Sequence, residues 1–109
     1  MQNPVIAHDN EVNPCINYAN AAALQLWSRC WTEMIGMPSE LTAPKEERKK
    51  RNNALLEVSQ KHSITNYQGI RINSQGEYFK IKNARIWTIW DEKDLVYGQA
   101  ATFQDWYRI

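Results

Sequence analysis

Histidine and cysteine, the side chains best suited to metal binding and nucleophilic chemistry, are scarce in this chain of 109 residues. Two of each occur, at His8, Cys15, Cys30 and His62. Their spacing does not match the close ligand pairs of tetrahedral zinc sites, so we expect no metal site. His8 with Asp9 or Glu77 could form a catalytic acid and base, but nothing in the sequence brings such a pair into one pocket. We therefore expect no catalytic residues and no enzyme, with a small α+β barrel enzyme as the alternative.

Composition and charge indicate a single domain over 1–109. The chain is 43% hydrophobic and 23% charged, with a net charge of +1, and a domain of this size buries one core. Nucleic-acid binding normally needs a clustered basic surface, so we expect no nucleic-acid partner. No apolar run approaches the ~20 residues that span a bilayer, and the N-terminus lacks a signal-peptide pattern. Two cysteines without C-x-x-C spacing are typical of thiols in a reducing compartment, so we expect a cytoplasmic protein.

Three consecutive strands are predicted for the last part of the chain. β-branched and aromatic residues dominate the runs at 64–72, 77–91 and 95–106, and the short turns NSQG and EKD join these runs. Such runs, punctuated by Asn, Asp, Ser and Gly, are typical of an antiparallel meander.

Two short strands and three helices are predicted before this meander. The strands cover 5–9 and 15–19, and the helices cover 21–27, 31–36 and about 44–61. Asn20 is a favourable N-cap for the first helix. Gly36 is a natural residue at the end of the second helix, and Pro44 suits the first turn of the third.

The third helix carries two arginines at the edge of its apolar stripe. Arg48 and Arg51 share a helical face with the residues Leu55 and Val58. Because guanidinium groups near a core need hydrogen-bond acceptors, we expect internal carboxylates or carbonyls to supply them. A bound acidic ligand is the alternative. Arg51 also follows Glu47 by four residues, the spacing of ion pairs on a solvated helix face.

Four stretches of the sequence carry a resemblance to a known family. They are HDNEVNPCINYANAAALQLW, then MPSELTAP followed by R-x-x-R-x-x-x-LL, then ITNYQGIRI, and finally GQAATFQDW. Together they resemble the MEKHLA domain, in the same order and over nearly the whole chain. MEKHLA domains occur at the C-terminus of plant class III homeodomain–leucine-zipper transcription factors. They also occur as small free-standing proteins in cyanobacteria, algae and other bacteria, and the chain resembles this second kind.

The resemblance implies a fold and a role, because MEKHLA domains are regarded as PAS-like. It implies an α+β fold in which a five-stranded antiparallel sheet, in the order 2-1-5-4-3, has helices packed on one face. It also implies a regulatory, non-catalytic module for sensing or protein interaction. A sensor that binds a small molecule or cofactor between the sheet and the long helix is the alternative function.

The resemblance leaves the cofactor unknown. Haem-binding PAS domains use an axial histidine on the long helix, and His62 lies near the end of that predicted helix. Flavin photoreceptors of the light-oxygen-voltage class carry their reactive cysteine in an N-C-R-F-L motif. Cys30 is followed by Trp31 instead, so the photochemical motif is absent. We expect no bound cofactor, and haem or non-covalent flavin is left as the alternative.

The alternation of side chains along the last strand predicts a pocket-facing row. If this strand follows the PAS pattern, Val96, Gly98, Ala100 and Thr102 point toward the helices, and three of these four are small. Small side chains leave room for packed tryptophans or for a ligand, and both remain open. The predicted pocket-lining residues are Tyr18, Trp27, Trp31, Arg51, Leu55, Tyr67, Trp87, Ala100 and Thr102. Asn20 and Gln99 are expected to hold the local geometry.

The other row of this strand predicts an interface. Tyr97, Gln99, Ala101 and Phe103 would form the outer row, which is too apolar for a solvated face. We therefore expect a homodimer, or docking to another protein, through the outer face of the sheet. A bulge near Lys82–Ala84 would shift the register, and a shift of one residue exchanges the two faces.

Overall fold

Residues 2–109 are described by the computed structural model. Its strands are β1 (Val5–Asp9), β2 (Ile16–Ala19), β3 (Ser63–Ile72), β4 (Tyr78–Trp90), β5 (Val96–Thr102) and β6 (Asp105–Arg108). Its helices are α1 (Ala21–Trp27), α2 (Trp31–Met34) and α3 (Arg48–Lys61), with 3₁₀ turns at Ser39–Thr42 and Lys45–Glu47. The strands pair antiparallel in the order β2-β1-β5-β4-β3, and β6 also pairs with β4. The predicted α+β fold class is confirmed, and β6 adds a sixth strand to the expected five.

Helix α1 begins where Asn20 caps it. The Asn20 side-chain oxygen accepts hydrogen bonds from the amides of Ala23 and Val5, both at 3.0 Å. The first bond satisfies an amide that the helix itself leaves free. Because the second bond comes from β1, Asn20 also fixes the start of the helix to the sheet.

Trp27, at the end of α1, lies at the centre of the apolar core. Its ring makes edge-to-face contacts with Phe79, at 5.2 Å, and Phe103, at 6.1 Å. The indole N–H donates to the carbonyl of Thr42 at 3.1 Å. A buried tryptophan with a satisfied N–H contributes a large apolar area without a polar penalty. This cluster therefore joins α1 and the following connector to β4 and the end of β5.

Strand β4 contains the bulge that was predicted near Lys82–Ala84. Asn83 adopts a left-handed backbone conformation, with φ 54°, and the pairing between β3 and β4 is irregular beside it. The row of β4 that faces the core changes parity there. Phe79 and Ile81 are buried before the bulge, and Ala84 and Ile86 are buried after it.

The same bulge explains why the predicted single strand over 95–106 is wrong. β5 pairs with β4 after the bulge, from Arg85 onward, whereas β6 pairs with β4 before it, at 79–82. Between β5 and β6 the chain turns the Phe103 side chain into the core. The Asn83 side chain then donates to the carboxylate of Asp105 at 2.7 Å, which ties the bulge to the start of β6.

The two faces of β5 are the reverse of the prediction. Gln99 donates from its side chain to the carbonyl of Leu55 in α3 at 3.0 Å, and Phe103 contacts Trp27. Ala101 lies in the same row, so these three predicted interface residues face the helices. Ala100 and Thr102 alternate with this row and therefore lie on the outer face.

Trp87 lies on the outer face as well, since it pairs with Ala100 in the adjacent strand. The prediction took the small residues of β5 to mark the pocket side. In the structure these small residues lie beside Trp87 instead, and Ala7 continues the same row into β1.

Candidate functional site

A small cavity lies between the sheet and the helices. Its volume is about 50 Å³, which is room for about three or four water molecules. Its lining is mostly apolar, with polar side chains from both the sheet and the helical layer. These polar residues are His8, Thr42, Arg51, Arg71 and Gln99.

A cleft of about 360 Å³ lies next to this cavity on the protein surface. It is bounded by the turn between β1 and β2, by the segment 38–40, and by the exposed side of α3. His8, Arg51, Leu55 and Gln99 line both the cleft and the cavity. These shared residues form the boundary between solvent and interior, and we call them the gate residues.

Among the gate residues, Arg51 brings a buried positive charge to the site. It is only 7% exposed, and its Nη2 donates to the hydroxyl of Ser39 at 2.9 Å. No carboxylate within residues 2–109 forms an ion pair with it. Burial, followed by repulsion from Arg71, lowers the pKa of Arg51 to about 10. A guanidinium has five N–H donors, so most of its hydrogen-bonding capacity is left without a protein acceptor.

Arg71 brings a second buried guanidinium to the cavity from β3. It is 6% exposed, donates to the carbonyl of Ile70 at 2.9 Å, and stacks over the ring of Tyr67 at 5.6 Å. Gly69 provides the room for this stack. A Cβ at Gly69 would lie 2.8 Å from the Tyr67 hydroxyl and 2.9 Å from Arg71 Nη1. The Tyr67 hydroxyl is itself buried, with no hydrogen-bond partner among the described residues.

Three polar side chains form a row across the central strands. His8 pairs with Gln99, and Gln99 pairs with Thr88, so β1, β5 and β4 each contribute one of them. Nδ1 of His8 lies 2.7 Å from the carbonyl of Asp9. Burial lowers the pKa of His8, which favours the neutral ring. Within the described chain, His8 Nε2 and the Thr88 hydroxyl are buried without partners.

The structure brings only some of the predicted pocket residues together. Trp27, Arg51 and Leu55 line the cavity, and Ala100 borders it although its side chain lies on the outer face of the sheet. Tyr67 lies beside it and contacts Arg71. Tyr18 and Trp31 contact each other at 6.3 Å near the edge strand β2, and both are about half exposed.

Sequence reasoning missed Thr88 and Arg71 as members of the site, and it considered His8 only as part of a catalytic pair. Thr88 and Arg71 each lie in a strand between apolar neighbours, two residues from a buried residue. Strict alternation along the strand would have flagged them, because a polar residue in a buried row is unusual. The expectation of internal acceptors is met at Arg48. Its Nε donates to the backbone carbonyls of Glu40 and Ala43, both at 3.2 Å.

The residues of the cavity do not fit haem or flavin–thiol chemistry. His62 ends α3 at an exposed position, where its ring lies 5.0 Å from that of Trp90. Neither Cys15 nor Cys30 lines the cavity. Pockets for drug-sized ligands and cofactors are usually about 300–1,000 Å³, and the interior space is much smaller.

Two further kinds of site are absent from the part of the chain that the structure describes. Over residues 2–109, no cluster of three or more His, Cys, Asp or Glu side chains could hold a metal ion. No described helix is both long enough and apolar enough to cross a membrane.

Solved structures with the same fold are PAS and light-oxygen-voltage domains. A PAS domain of a protein from Colwellia psychrerythraea aligns with a TM-score of 0.82 at 14% identity, covering 94% of this chain and 85% of that one. A light-oxygen-voltage domain studied with a flavin analogue aligns at 0.77 and 15% identity, covering 99% and 78%. The light-state dimer of the fungal blue-light photoreceptor Vivid aligns at 0.72 and 16% identity, covering 94% and 77%. Identities this low show the fold alone.

The sequence itself matches one family model. Among curated proteins no relative matches. The model of the MEKHLA domain, however, matches residues 1–108, which is almost the whole chain. The chain therefore belongs to the MEKHLA domain family and has the PAS fold.

Proposed function

We propose that this MEKHLA domain is a non-catalytic sensory module that binds a small molecule between the sheet and α3. One observation carries the proposal: an internal cavity and a surface cleft meet at the gate residues His8, Arg51, Leu55 and Gln99. Buried polar groups in a fully packed core normally have partners. His8 Nε2 and the Thr88 hydroxyl, within the described residues, have none. A ligand or ordered water would satisfy them.

The absence of an assembled acid–base pair supports a non-catalytic role. Asp9 uses its carboxylate to accept hydrogen bonds from the backbone amides of Glu11 and Cys15 in the β1–β2 turn. Glu77 accepts a hydrogen bond from Asn73 at the β3–β4 turn and does not line the cavity. His8 thus lacks the carboxylate partner that the alternative enzyme would need. Both cysteines are free thiols, which supports a cytoplasmic location within this proposal.

The test is native mass spectrometry of protein purified from its own host, with an absorption spectrum of the same sample. We expect the wild-type protein to have a mass above that of the polypeptide, because a bound molecule is retained. Ala101→Leu, which adds bulk to the cavity wall, should remove it. Ala21→Leu is the matched control, because Ala21 is an exposed residue of α1. Excess mass that survives Ala101→Leu, or no bound molecule in any preparation, would overturn the proposal.

We further propose that the module forms a homodimer through the outer face of its sheet. Tyr18, Ala7, Ala100 and Trp87 form one row across four strands. Two alanines between two aromatic side chains make a shallow trough, with the Arg85 guanidinium stacked over the Trp87 ring at 5.4 Å, and this surface suits a self-complementary contact. The structural neighbour Vivid is a dimer in its light state, which supports the idea of a second copy here.

Oligomeric state in solution, measured by light scattering, tests this assignment. Trp87→Lys should convert the dimer to a monomer, because it replaces one apolar side of the trough with a charge that the contact would bury. Tyr97→Lys is the control, since Tyr97 is exposed and lies near the start of β5, away from this row. If Tyr97→Lys breaks the dimer and Trp87→Lys does not, the interface lies at the open end of β5 instead.

A further inference from the structure

We infer that the ligand of this cavity is a short organic carboxylate, held by the guanidinium groups of Arg51 and Arg71. The inference rests on the proposed sensory function and names the chemical class of its ligand. Both side chains line the cavity, and both are more than nine-tenths buried. They come from opposite layers of the domain, Arg51 from α3 and Arg71 from β3.

No ion pair among the described residues balances the charge of these two side chains, although the charge of Glu40 acts favourably on Arg51 from beyond ion-pair distance. The ion pairs of residues 2–109 are Lys61–Glu57 and Arg108–Glu77, and neither includes Arg51 or Arg71. A buried charge without a partner is costly. Burial, and after it repulsion from Arg71, lowers the pKa of Arg51, so the second guanidinium adds to that cost. A bound anion would offset both effects, whereas a neutral ligand would offset neither.

The acidic residues near the start of α3 are already engaged elsewhere. Glu46 accepts a hydrogen bond from the Tyr78 hydroxyl at 2.8 Å. Glu47 accepts one from the backbone amide of Ile70 at 3.0 Å and so covers the edge of β3. Arg51 therefore turns inward, and the i,i+4 pair that its spacing from Glu47 suggested does not form. This arrangement leaves the cavity positive.

Further donors stand near the two guanidiniums. The Tyr67 hydroxyl is held close to Arg71 Nη1 over Gly69, and it has no acceptor among the described residues. The side-chain amide of Gln99 lines the same space. Neutral His8 also lines it but presents an acceptor there, because its Nδ1 proton is donated to the Asp9 carbonyl. Guanidinium forks match the planar geometry of a carboxylate, with two parallel N–H···O bonds.

The rest of the cavity limits the size and polarity of the ligand. The rest of its lining is apolar and includes Ile6, Ile16, Trp27, Ile81, Ile86 and Phe103. A volume of about 50 Å³ leaves no room there for a sugar or a nucleotide. A carboxylate with a short aliphatic chain suits both kinds of lining, with its charge on the arginines and its chain on the isoleucines.

Calorimetric titration with propionate is the direct test, with propionamide as a neutral analogue of the same shape. Acetate and butyrate extend the series in chain length. We expect propionate to bind the wild-type protein and to raise its Tm, and propionamide to bind at least about tenfold more weakly, the loss expected for a charge-assisted hydrogen bond. Arg51→Met and Arg71→Met should each weaken propionate by a similar factor.

Arg48→Met is the matched control on the same helix. Its guanidinium donates to backbone carbonyls and does not line the cavity. We expect this variant to bind propionate as the wild-type protein does. Circular dichroism of each variant distinguishes weakened binding from a failure to fold.

Three outcomes would overturn the inference. They are equal binding of propionate and propionamide, unchanged affinity in Arg51→Met, and an Arg51-dependent site that takes inorganic phosphate but not a carboxylate. In each of these cases the sensory proposal survives if host-purified protein carries a molecule that Ala101→Leu removes. The sensory proposal fails only if that bound molecule is absent or indifferent to Ala101→Leu.

Discussion

The layer between the helices and the sheet has two ends that are built in opposite ways. At one end Trp27, Phe79 and Phe103 interlock, and all three are almost completely buried. Trp27 and Phe103 also line the cavity, so the two ends meet at these rings. At the other end His8 and Arg51 surround a cavity that meets a cleft open to solvent. The same strands, β4 and β5, pass through both ends. One side of one sheet therefore serves as core over half of its length and as a binding site over the rest.

This difference shows how a small domain can accommodate groups that cost stability. Aromatic packing at the closed end contributes a large apolar area in a few side chains. The polar end contains two buried guanidiniums and a neutral histidine, which contribute little or oppose folding. Stability is concentrated at one end, and binding chemistry is concentrated at the other. Substitutions at the two ends should therefore have effects of opposite sign.

Trp27→Ala tests the closed end and should have the largest effect. We expect it to lower the free energy of unfolding by about 3–5 kcal/mol, as is typical when a large core aromatic is truncated. The Thr42 carbonyl also loses its hydrogen bond from the indole. Urea unfolding measures the change. Trp31→Ala is the control, because Trp31 is 48% exposed, and we expect it to cost at most about 1 kcal/mol. Equal costs would remove the contrast between the two ends.

Arg51→Met tests the polar end and should have the opposite sign. In the ligand-free protein we expect it to raise the free energy of unfolding by about 1–2 kcal/mol. Removing an unpaired buried charge outweighs the loss of one neutral acceptor, the Ser39 hydroxyl. Urea unfolding without added carboxylate measures this change. Arg48→Met, which loses two satisfied bonds to carbonyls, should not stabilise the protein. A loss of stability in Arg51→Met would mean that the guanidinium belongs to the core.

Much of the fold could be predicted from the sequence because local signals agreed with one another. α1 has the predicted bounds and the predicted cap at Asn20. The strand order follows the resemblance to MEKHLA domains, and the bulge near Lys82–Ala84 was marked by polar residues in an apolar row. Helix caps and turns depend on residues close in sequence, so a single chain contains the information that they need.

The sequence could not show which side chains of β5 face the helices. The site residues contributed by that strand were therefore mispredicted. Alternation allows two arrangements that differ by one residue. The small residues Gly98 and Ala100 suggested one of them. Gln99 decides between them, because its side chain reaches the Leu55 carbonyl at the gate. That contact joins residues 44 positions apart, and no local pattern encodes it. The surroundings of Arg51 could not be predicted either, since the sequence does not show whether a carboxylate or carbonyl of the protein accepts hydrogen bonds from its guanidinium.

His8→Gln tests the polar end through the pH dependence of stability. We expect its effect on the free energy of unfolding to be the smallest of the three. Burial lowers the pKa of His8, opposed by its hydrogen bond to the Asp9 carbonyl and by the Asp9 charge, and assisted by the charge of Arg51. The unfolded chain therefore binds a proton at His8 more readily than the folded protein does. Stability should accordingly fall as the pH drops through about 6.5, the ordinary value for histidine. For one proton this slope cannot exceed about 1.4 kcal/mol per pH unit.

Urea unfolding at several pH values between 7.5 and 5 measures this slope. We expect His8→Gln to flatten it, because glutamine does not titrate. His62→Asn is the matched control, since it removes the other histidine from the exposed end of α3, where asparagine tolerates the positive φ. If His62→Asn flattens the slope and His8→Gln does not, His8 binds its proton as readily in the folded protein as in the unfolded chain. That result would contradict the neutral ring that burial favours.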